Sequence, residues 1–366
     1  MNFEWLDSRA RKGNMALFAK RRRPQVIGVD IGSSSVKVVE VKRVGSSYQL
    51  VGFGVTEIPT GAIEGGEIRN SGRVQAAIRG ALNNAKVDTK DAVIGVSGGS
   101  VIAKRVKVPK MSQAELEESI RWEAEQHIPF DTDDVNLDFQ IMGSGGQEIE
   151  VMLVAVKKGR VESFVEVAEA AGMNVLVVDA DVFALENQYE VNYPELKGEV
   201  VALVNVGAEV TNTNIIQRGN CVYARDILFG GRQIVGALGR RLGIDAAQAE
   251  PLLRDPEAGG SFGSEVENVS DSVTMELGNE IQRTLDYFGT TGEHERISQI
   301  LLAGGCALLP GLRERLTNQW GIDVGIMDPF RRVQGGADVS MDEVKAIAPR
   351  LAVAMGLAIR WPGDRR

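Results

Sequence analysis

Two stretches of this chain, 175 residues apart, are versions of one another. Residues 26–41 read VIGVDIGSSSVKVVEV and residues 201–216 read VALVNVGAEVTNTNII. Aligned without a gap, Val26 meets Val201, Val29 meets Val204, Asp30 meets Asn205 and Gly32 meets Gly207. Each is an apolar strand, a tight glycine turn and a second, alternating strand. The offset is close to half of the 366 residues. Two similar lobes facing one another is the simplest architecture that follows, and the length is sufficient for two such units.

The stretches between the echoes alternate strand and helix patterns, which makes the chain α/β. Residues 48–58 read as a strand, 71–85 as a helix and 92–109 as β structure. Ser112 and Glu115 have capping-box spacing, and the helix they start carries Leu116, Ile120 and Ala124 before Pro129. Strands at 135–142 and 149–156 follow. A helix with Val161, Phe164, Val165 and Ala168 on one face then stops at Gly172. Beyond the second echo, a short helix aligns Ile234, Leu238 and Leu242, and DPEAGGSFG (255–263) reads as a loop. A long helix carries an apolar stripe from Val266 to Phe288. The strand ISQILLA (297–303), a Gly304–Gly305 turn and a helix started by Pro310 come next. A last helix over about 343–360 carries Val344, Ile347, Leu351, Met355 and Ile359.

This reading divides the chain into four parts. Residues 1–24 form a basic, disordered tail. Residues 25–90 and 176–198 form the first lobe, 91–175 an inserted α+β module, and 199–366 the second lobe, whose last helix packs back toward the first. The net charge of −9 hides an asymmetry, because residues 1–23 carry +5 through Arg9, Arg11, Lys12, Lys20, Arg21, Arg22 and Arg23. Phe3, Trp5, Leu6, Leu17 and Phe18 in the same head would also suit an anionic membrane surface. Met15 is a second possible start. The acidic remainder makes a poor non-specific nucleic-acid binder. Cys221 and Cys306 are too few for a disulfide framework, which points to a reducing compartment. No apolar run is long enough to span a membrane, and no secretory signal pattern is visible.

GVDIGSSSVK (28–37) places a carboxylate, Asp30, at a strand end, then Gly32, then Ser33, Ser34, Ser35 and Lys37. Successive amide and hydroxyl donors in such a turn suit phosphate oxygens. Asp30 suits Mg²⁺ held through water, since that ion keeps much of its hydration shell. The alternative is an ordinary hairpin with a polar turn. AGGCALLPG (303–311) lets bare backbone approach a flat base, or is a routine strand–helix turn. Glu280 and Arg283 share a helix face and suit a ribose and a purine edge, or form a solvated ion pair. Gly230–Gly231 is equally open. Asp179 and Asp181 begin a helix, where either can orient water toward a γ-phosphate or serve the helix terminus. No GxxxxGK[ST] is present, which excludes a P-loop. GVSGG (95–99) fits the nucleophile-elbow pattern, but a strand-like VIAKRVKVP follows instead of a helix, and His127 and His294 are the only histidines. No Cys/His spacing indicates zinc.

Taken together, these motifs resemble the actin superfamily of ATPases, which has two phosphate hairpins, connecting helices and an adenosine turn. Within it the sequence is most similar to the PilM family of type IV pilus assembly proteins, related to the division protein FtsA. The cues are VIGVDIGSSSVKVVEVKR, LEESIRWEAEQHIPFDTDDVNLDF (116–139) and VVDADVFALENQY (177–189), and the resemblance covers about 25–360. It implies an actin-like (ribonuclease H-like), two-lobed α/β fold with an inserted small subdomain, binding ATP and Mg²⁺. Asp30, Gly32, Ser33, Ser34, Ser35 and Lys37 would form the first phosphate loop, and Gly207, Ala208 and Thr211 the second. Gly230 and Gly231 would flank the nucleotide, Glu280 and Arg283 would contact ribose or base, and Gly304, Gly305 and Leu308 would line the adenosine slot. Asp181 takes the position of a water-activating acid. Asn205 departs from the usual Asp-x-Gly. An amide holds a metal-bound water without supplying charge, so ATP binding with slow or negligible turnover is expected.

The resemblance also implies a scaffold and leaves open whether it is an enzyme. It would be cytoplasmic and peripheral at the inner membrane, and it would link the pilus alignment complex to cytosolic motor components. In this family a groove beside the inserted subdomain holds the N-terminal tail of the single-span inner-membrane protein PilN. Ile102, Trp122 and Phe130 suit such a groove, or Trp122 is core. Two alternatives remain. One is an FtsA-like filament former, against which the end at WPGDRR counts, because such chains end in a membrane helix. The other is a sugar or acetate kinase, for which no acceptor constellation is visible.

Overall fold

A computed structural model describes residues 24–255, 263–290 and 296–363. The basic head, most of the DPEAGGSFG loop and His294 lie outside the described residues. The chain begins with β1 (Ile27–Ile31), β2 (Ser35–Val44), β3 (Ser47–Glu57) and the two-residue strands β4 (Ile63–Glu64) and β5 (Glu67–Ile68). Next come α1 (Ser71–Ala85), β6 (Asp91–Val96), β7 (Val101–Pro109), α2 (Gln113–Glu125), β8 (Val135–Gly145) and β9 (Glu148–Lys157). α3 (Lys158–Ala170), β10 (Asn174–Ala180) and α4 (Asp181–Asn192) lead to β11 (Val200–Val206), β12 (Thr211–Gln217) and β13 (Asn220–Ile227). The remainder is α5 (Gly231–Leu242), α6 (Ala246–Arg254), α7 (Gly263–Thr290), β14 (Gln299–Ala303), α8 (Leu312–Trp320), β15 (Asp323–Ile326), β16 (Val333–Gly335), α9 (Met341–Ile347) and α10 (Ala352–Ala358).

The echo in the sequence is an echo in topology. One sheet runs β10-β6-β1-β2-β3-β16 and the other β13-β12-β11-β14-β15. Apart from the edge strand β16, both consist of an antiparallel meander with two parallel strands on its far side. Asp30 lies opposite Lys37 in the first meander. Asn205 lies opposite Asn212, at the equivalent register, in the second. The central strands are covered on both faces, which is why they read as almost unbroken apolar runs.

α4 links the sheets and is buried along most of its length, with Phe183 and Tyr189 inside. It touches the second lobe through its backbone and side chains alike. Asn214 Nδ2 donates to Val182 O at 2.8 Å, and Cys221 N donates to Glu186 Oε1 at 2.8 Å. α10 lies across β1 and α4 with almost no space between backbones. A Cβ on Gly28 would stand 2.1 Å from Ala354 O, and one on Gly356 would stand 1.8 Å from Ala184 O.

Several elements differ from the sequence expectation. The final helix is broken: α9 gives way to a 3-10 turn over Ala348–Leu351 before α10. Pro349 is the reason, since it has no N–H to donate and its ring obstructs a continuing helix. The helix expected from Pro310 starts at Leu312, after a 3-10 turn at Gly305–Leu308 and a left-handed Gly311. β16 joins the edge of the first sheet beside β3, a pairing its three residues did not signal. β6 is hydrogen-bonded within the first sheet, and α3 packs Val161, Phe164, Val165 and Ala168 into that lobe's core. The segment with a sheet and a core cluster of its own is therefore β7, β8 and β9 with α2, around Val106, Leu116, Ile120, Val151 and Leu153, while Met152, Val154 and Val156 of β9 pack into the first lobe's core.

Candidate functional site

The two glycine turns face one another, and one side chain spans the gap. Gly32 N donates to Ser35 O at 3.1 Å, and Gly207 N donates to Val210 O at 3.0 Å, so the turns close in the same way. Arg232, at the start of α5, donates through Nη2 to Ser33 O of the first turn at 2.9 Å and through Nη1 to Ile63 O of β4 at 3.3 Å. The same guanidinium pairs with Glu209 of the second turn. The mouth of the cleft is thus laced by a cation whose fork geometry suits several oxygen acceptors at once.

At the first turn, Lys37 Nζ lies 3.1 Å from Asp30 Oδ2. Ser34 O accepts from Ile58 N at 2.7 Å, and Ser35 Oγ lies 3.5 Å from Arg350 Nη2. At the second, Gly231 N donates to Gly207 O at 3.0 Å and Arg232 N to Ala208 O at 2.8 Å, so Gly230 and Gly231 rest directly on the turn. A Cβ on Gly230 would lie 2.5 Å from Gly207 O. Cys306 Sγ approaches Gly207 O at 3.4 Å, and burial pushes its thiol up to about 12, so it is an inert packing group. Thr211 is fully buried, and its hydroxyl donates to Phe229 O at 2.8 Å. It supports the turn from behind rather than presenting a donor to the cleft.

Gly304 sits against the second turn with φ of 88°, a conformation in which a side chain is strained. A Cβ there would meet Val206 O at 2.3 Å and Asn205 Oδ1 at 2.8 Å. Gly305 is open, and Leu308 is an exposed hydrophobic side chain. A cavity of about 190 Å³ opens just beyond, between α5, α6, α7 and Leu309–Leu312. Glu280 and Arg283 pair with each other on the outer side of α7. The structure groups the glycine turns tightly and leaves this pair at the surface.

Beneath the turns lies a charged floor. Asp181, the first residue of α4, packs so closely on β6 that a Cβ on Gly95 would be 2.2 Å from its Oδ1. That oxygen is buried and has no hydrogen-bond partner. Burial, with Asp30 opposite, pushes the Asp181 carboxyl up to about 8, against the Ser97 hydroxyl that bonds to it. Two residues earlier, Asp179 pairs with Arg360 at 2.9 Å deep in the core and serves the fold. Arg160, at the start of α3, bonds Ser100 Oγ at 3.2 Å, and burial lowers its pKa.

Two residues absent from the sequence expectation stand out here. Asp226 Oδ2 accepts from Gly98 N across the cleft at 2.5 Å, and its Oδ1 accepts from Asn212 Nδ2 at 2.7 Å. Asn205 Nδ2 in turn donates to Asn212 Oδ1 at 2.7 Å. Burial pushes the Asp226 carboxyl up to about 6. The repeat offset carried a signal for Asn212, since it is the echo of Lys37. Nothing local marked Asp226.

The sequence pattern of the family described as type IV pilus assembly protein PilM matches residues 28–361. The chain belongs to the PilM family. A solved PilM–PilN type IV pilus biogenesis complex is similar, with a TM-score of 0.83 and 28% identity, covering 93% of this chain and 99% of that one. MreB5 of Spiroplasma citri bound to AMPPNP has a TM-score of 0.52 and 12% identity, covering 92% of this chain and 95% of that one, which shows the shared actin-like fold alone. A cell division protein FtsA of Staphylococcus epidermidis is 22% identical over 255 residues, 62% of this chain and 53% of that protein. The chain thus spans about half the length of the curated relatives it matches.

The PilM-family cleft has a donor set that fits nucleotide and Mg²⁺. Gly32, Gly207 and Gly304 keep side chains off the turns, Lys37 supplies a cation at the first of them, and Asp181 Oδ1 and Glu209 Oε2 are buried without hydrogen-bond partners. Among the described residues no group of three or more His, Cys, Asp or Glu side chains is placed to hold a metal. Asp30 and Asn205 would offer Mg²⁺ one carboxylate and one amide through its waters, the remaining positions being filled by phosphate oxygens and water. Ile102 and Phe130 pack half-buried against the β7–β9 module, whereas Trp122 is 68% exposed. Lys157 Nζ stands 4.5 Å over the Phe130 ring. Among the described residues no helix is long and apolar enough to cross a membrane.

Proposed function

We propose that this chain binds ATP with Mg²⁺ between the two turns and works as an actin-like scaffold of the type IV pilus machine. In this reading Asp30 and Asn205 hold the metal through its waters. Gly32, Ser33, Ser34, Ser35 and Lys37 take the phosphates from one side, and Gly207 and Ala208 take them from the other. Thr211 supports the second turn. Gly230 and Gly231 flank the nucleotide, Gly304, Gly305 and Leu308 receive the adenosine, and Glu280 with Arg283 lies at its edge. Bound Mg²⁺ supplies neutralisation of phosphate charge. Asp181 is the group suited to orienting a water, and the neutral Asn205 keeps turnover slow or negligible.

The observation that carries the reading is Arg232, which joins Ser33 O of one turn to Glu209 of the other. A ligand between the turns would be gripped by both lobes at once, so its binding favours one lobe geometry by differential affinity. The partner is the N-terminal cytoplasmic peptide of a PilN-like inner-membrane protein, supported by the similarity to the PilM–PilN complex. That contact would hold the scaffold at the cytoplasmic face of the inner membrane and connect it to other motor components. Titration of such a peptide with and without ATP–Mg²⁺ tests this. Saturable binding that tightens with nucleotide is expected, and a peptide that never binds overturns the partner assignment.

A further inference from the structure

Asn205, Asn212 and Asp226 lie directly opposite one another on three adjacent strands. The β11–β12 register pairs Asn205 with Asn212, and the β12–β13 register pairs Asn212 with Asp226. Their side chains form an unbroken row of hydrogen bonds that ends on Gly98 N of the first lobe. The row has a direction. An ionised carboxylate only accepts, so Asp226 takes one donor on each oxygen, Gly98 N–H and the Asn212 amino group. With its amino group committed, Asn212 has only its carbonyl oxygen left for Asn205. Asn205 must then donate its own amino group, which leaves its Oδ1 outermost, on the side of Gly304.

An amide can be turned over at little steric cost, because its oxygen and nitrogen are nearly the same size. Without a fixed neighbour, Asn205 would present an amino group as readily as an oxygen. An amino group faces a metal-bound water, itself a donor, with the wrong polarity. We propose that Asp226 is a positioning residue of the nucleotide site: through Asn212 it fixes the Asn205 amide so that its oxygen faces the metal's waters. The negative charge missing at Asn205 is thereby kept two strands away, on a residue that also ties the second lobe to the Gly98 loop of the first. This inference rests on the reading of the cleft as an ATP–Mg²⁺ site.

The direction of the row can be reversed by exchanging its two ends. In Asp226→Asn the row is free to turn over: the new amide keeps its oxygen on Gly98 N–H and donates to Asn212 Oδ1, Asn212 donates to Asn205 Oδ1, and Asn205 is left presenting its amino group to the metal's waters. In Asn205→Asp, carboxylates flank Asn212 on both sides, and its oxygen must face one of them. In the double variant Asn205→Asp/Asp226→Asn the whole row reverses. The carboxylate now on β11 accepts the Asn212 amino group, and the Asn212 oxygen accepts from the amide now on β13. The oxygen of that new amide still accepts from Gly98 N–H. Every group is satisfied again.

The test is a double-variant cycle with two readouts, the urea midpoint of the ligand-free protein and the affinity for ATP with and without Mg²⁺. Asp226→Asn is expected to weaken Mg²⁺-dependent ATP binding about tenfold with little change in the midpoint, and Asn205→Asp to lower the midpoint, because the Asn212 oxygen then faces a carboxylate. The double variant is expected to recover the midpoint and to return the affinity to within about threefold of wild type. Wild-type protein that binds ATP–Mg²⁺, with single-variant losses that simply add in the double, overturns the relay and leaves the nucleotide reading standing. Wild-type protein that binds no nucleotide overturns that reading and this inference with it.

Discussion

Asp179 and Asp181 are separated by one residue and sit in opposite chemical situations. Asp179 has a buried cation, Arg360, beside it, and both side chains are almost wholly removed from solvent. Removing one member of such a pair strands the other, so Asp179→Ala is expected to cost about 3–5 kcal/mol in urea unfolding. A loss below about 1 kcal/mol would show that the pair does not anchor the chain end. Among the described residues no cation pairs directly with Asp181, and the pull of Lys37 is outweighed by burial and by Asp30. Its carboxyl is pushed up to about 8, against about 4 in an unfolded chain. Between those values the folded protein keeps a proton that the unfolded chain has released, so stability falls as pH rises through the window. Asp226, raised to about 6, adds to the same slope in its lower half. In the ligand-free protein, Asp181→Asn is expected to lose less stability than wild type between about pH 5 and pH 8. Equal losses would contradict the burial argument. The sequence offered both aspartates as equals, because what separates them is Arg360, 181 residues away from one and absent beside the other.

Local elements were legible wherever a short-range pattern carries the information. The Ser112–Glu115 capping box forms as spaced, the glycine turns close as hairpins, and VIAKRVKVP is a strand rather than the helix an elbow needs. Legibility failed where a single residue overrode a pattern, as Pro349 does in the last helix, and where contact rather than periodicity makes the element, as in β16. The α4–α10 crossing belongs to the second kind. Gly356→Ala forces a methyl against Ala184 O, and a destabilisation of about 1–3 kcal/mol or more is expected from urea unfolding. An unchanged midpoint would mean that the helices part without cost. Trp122 is the reverse case, a large apolar residue left in solvent on α2. Trp122→Ala is expected to change stability by no more than about 0.5 kcal/mol. If this helix borders the peptide groove, the same variant weakens PilN-type peptide binding, and a large loss of stability instead would place the indole in the core.

At the scale of the molecule, duplication was visible because both copies kept a glycine turn between alternating strands, and the two sheets repeat the same strand order. The contacts that join the copies left no trace in either repeat, since Arg232, Asp226 and Asn214 each meet partners from the other half. Arg232 is the most consequential of them. Arg232→Ala removes two donors to first-lobe carbonyls and leaves Glu209 without its cation, for an expected loss of about 1–3 kcal/mol, with partial recovery in Arg232→Lys. An unchanged unfolding midpoint in Arg232→Ala would show that the lobes are held elsewhere. The central claim is that the two turns clasp a triphosphate from opposite sides, with Asp30 answering for the metal. Calorimetric titration of ATP with Mg²⁺ into wild-type protein and Asp30→Ala tests it most directly. The account predicts saturable binding by the wild type and at least about a tenfold loss in a variant whose urea midpoint shows it folded. Equal affinities would contradict it.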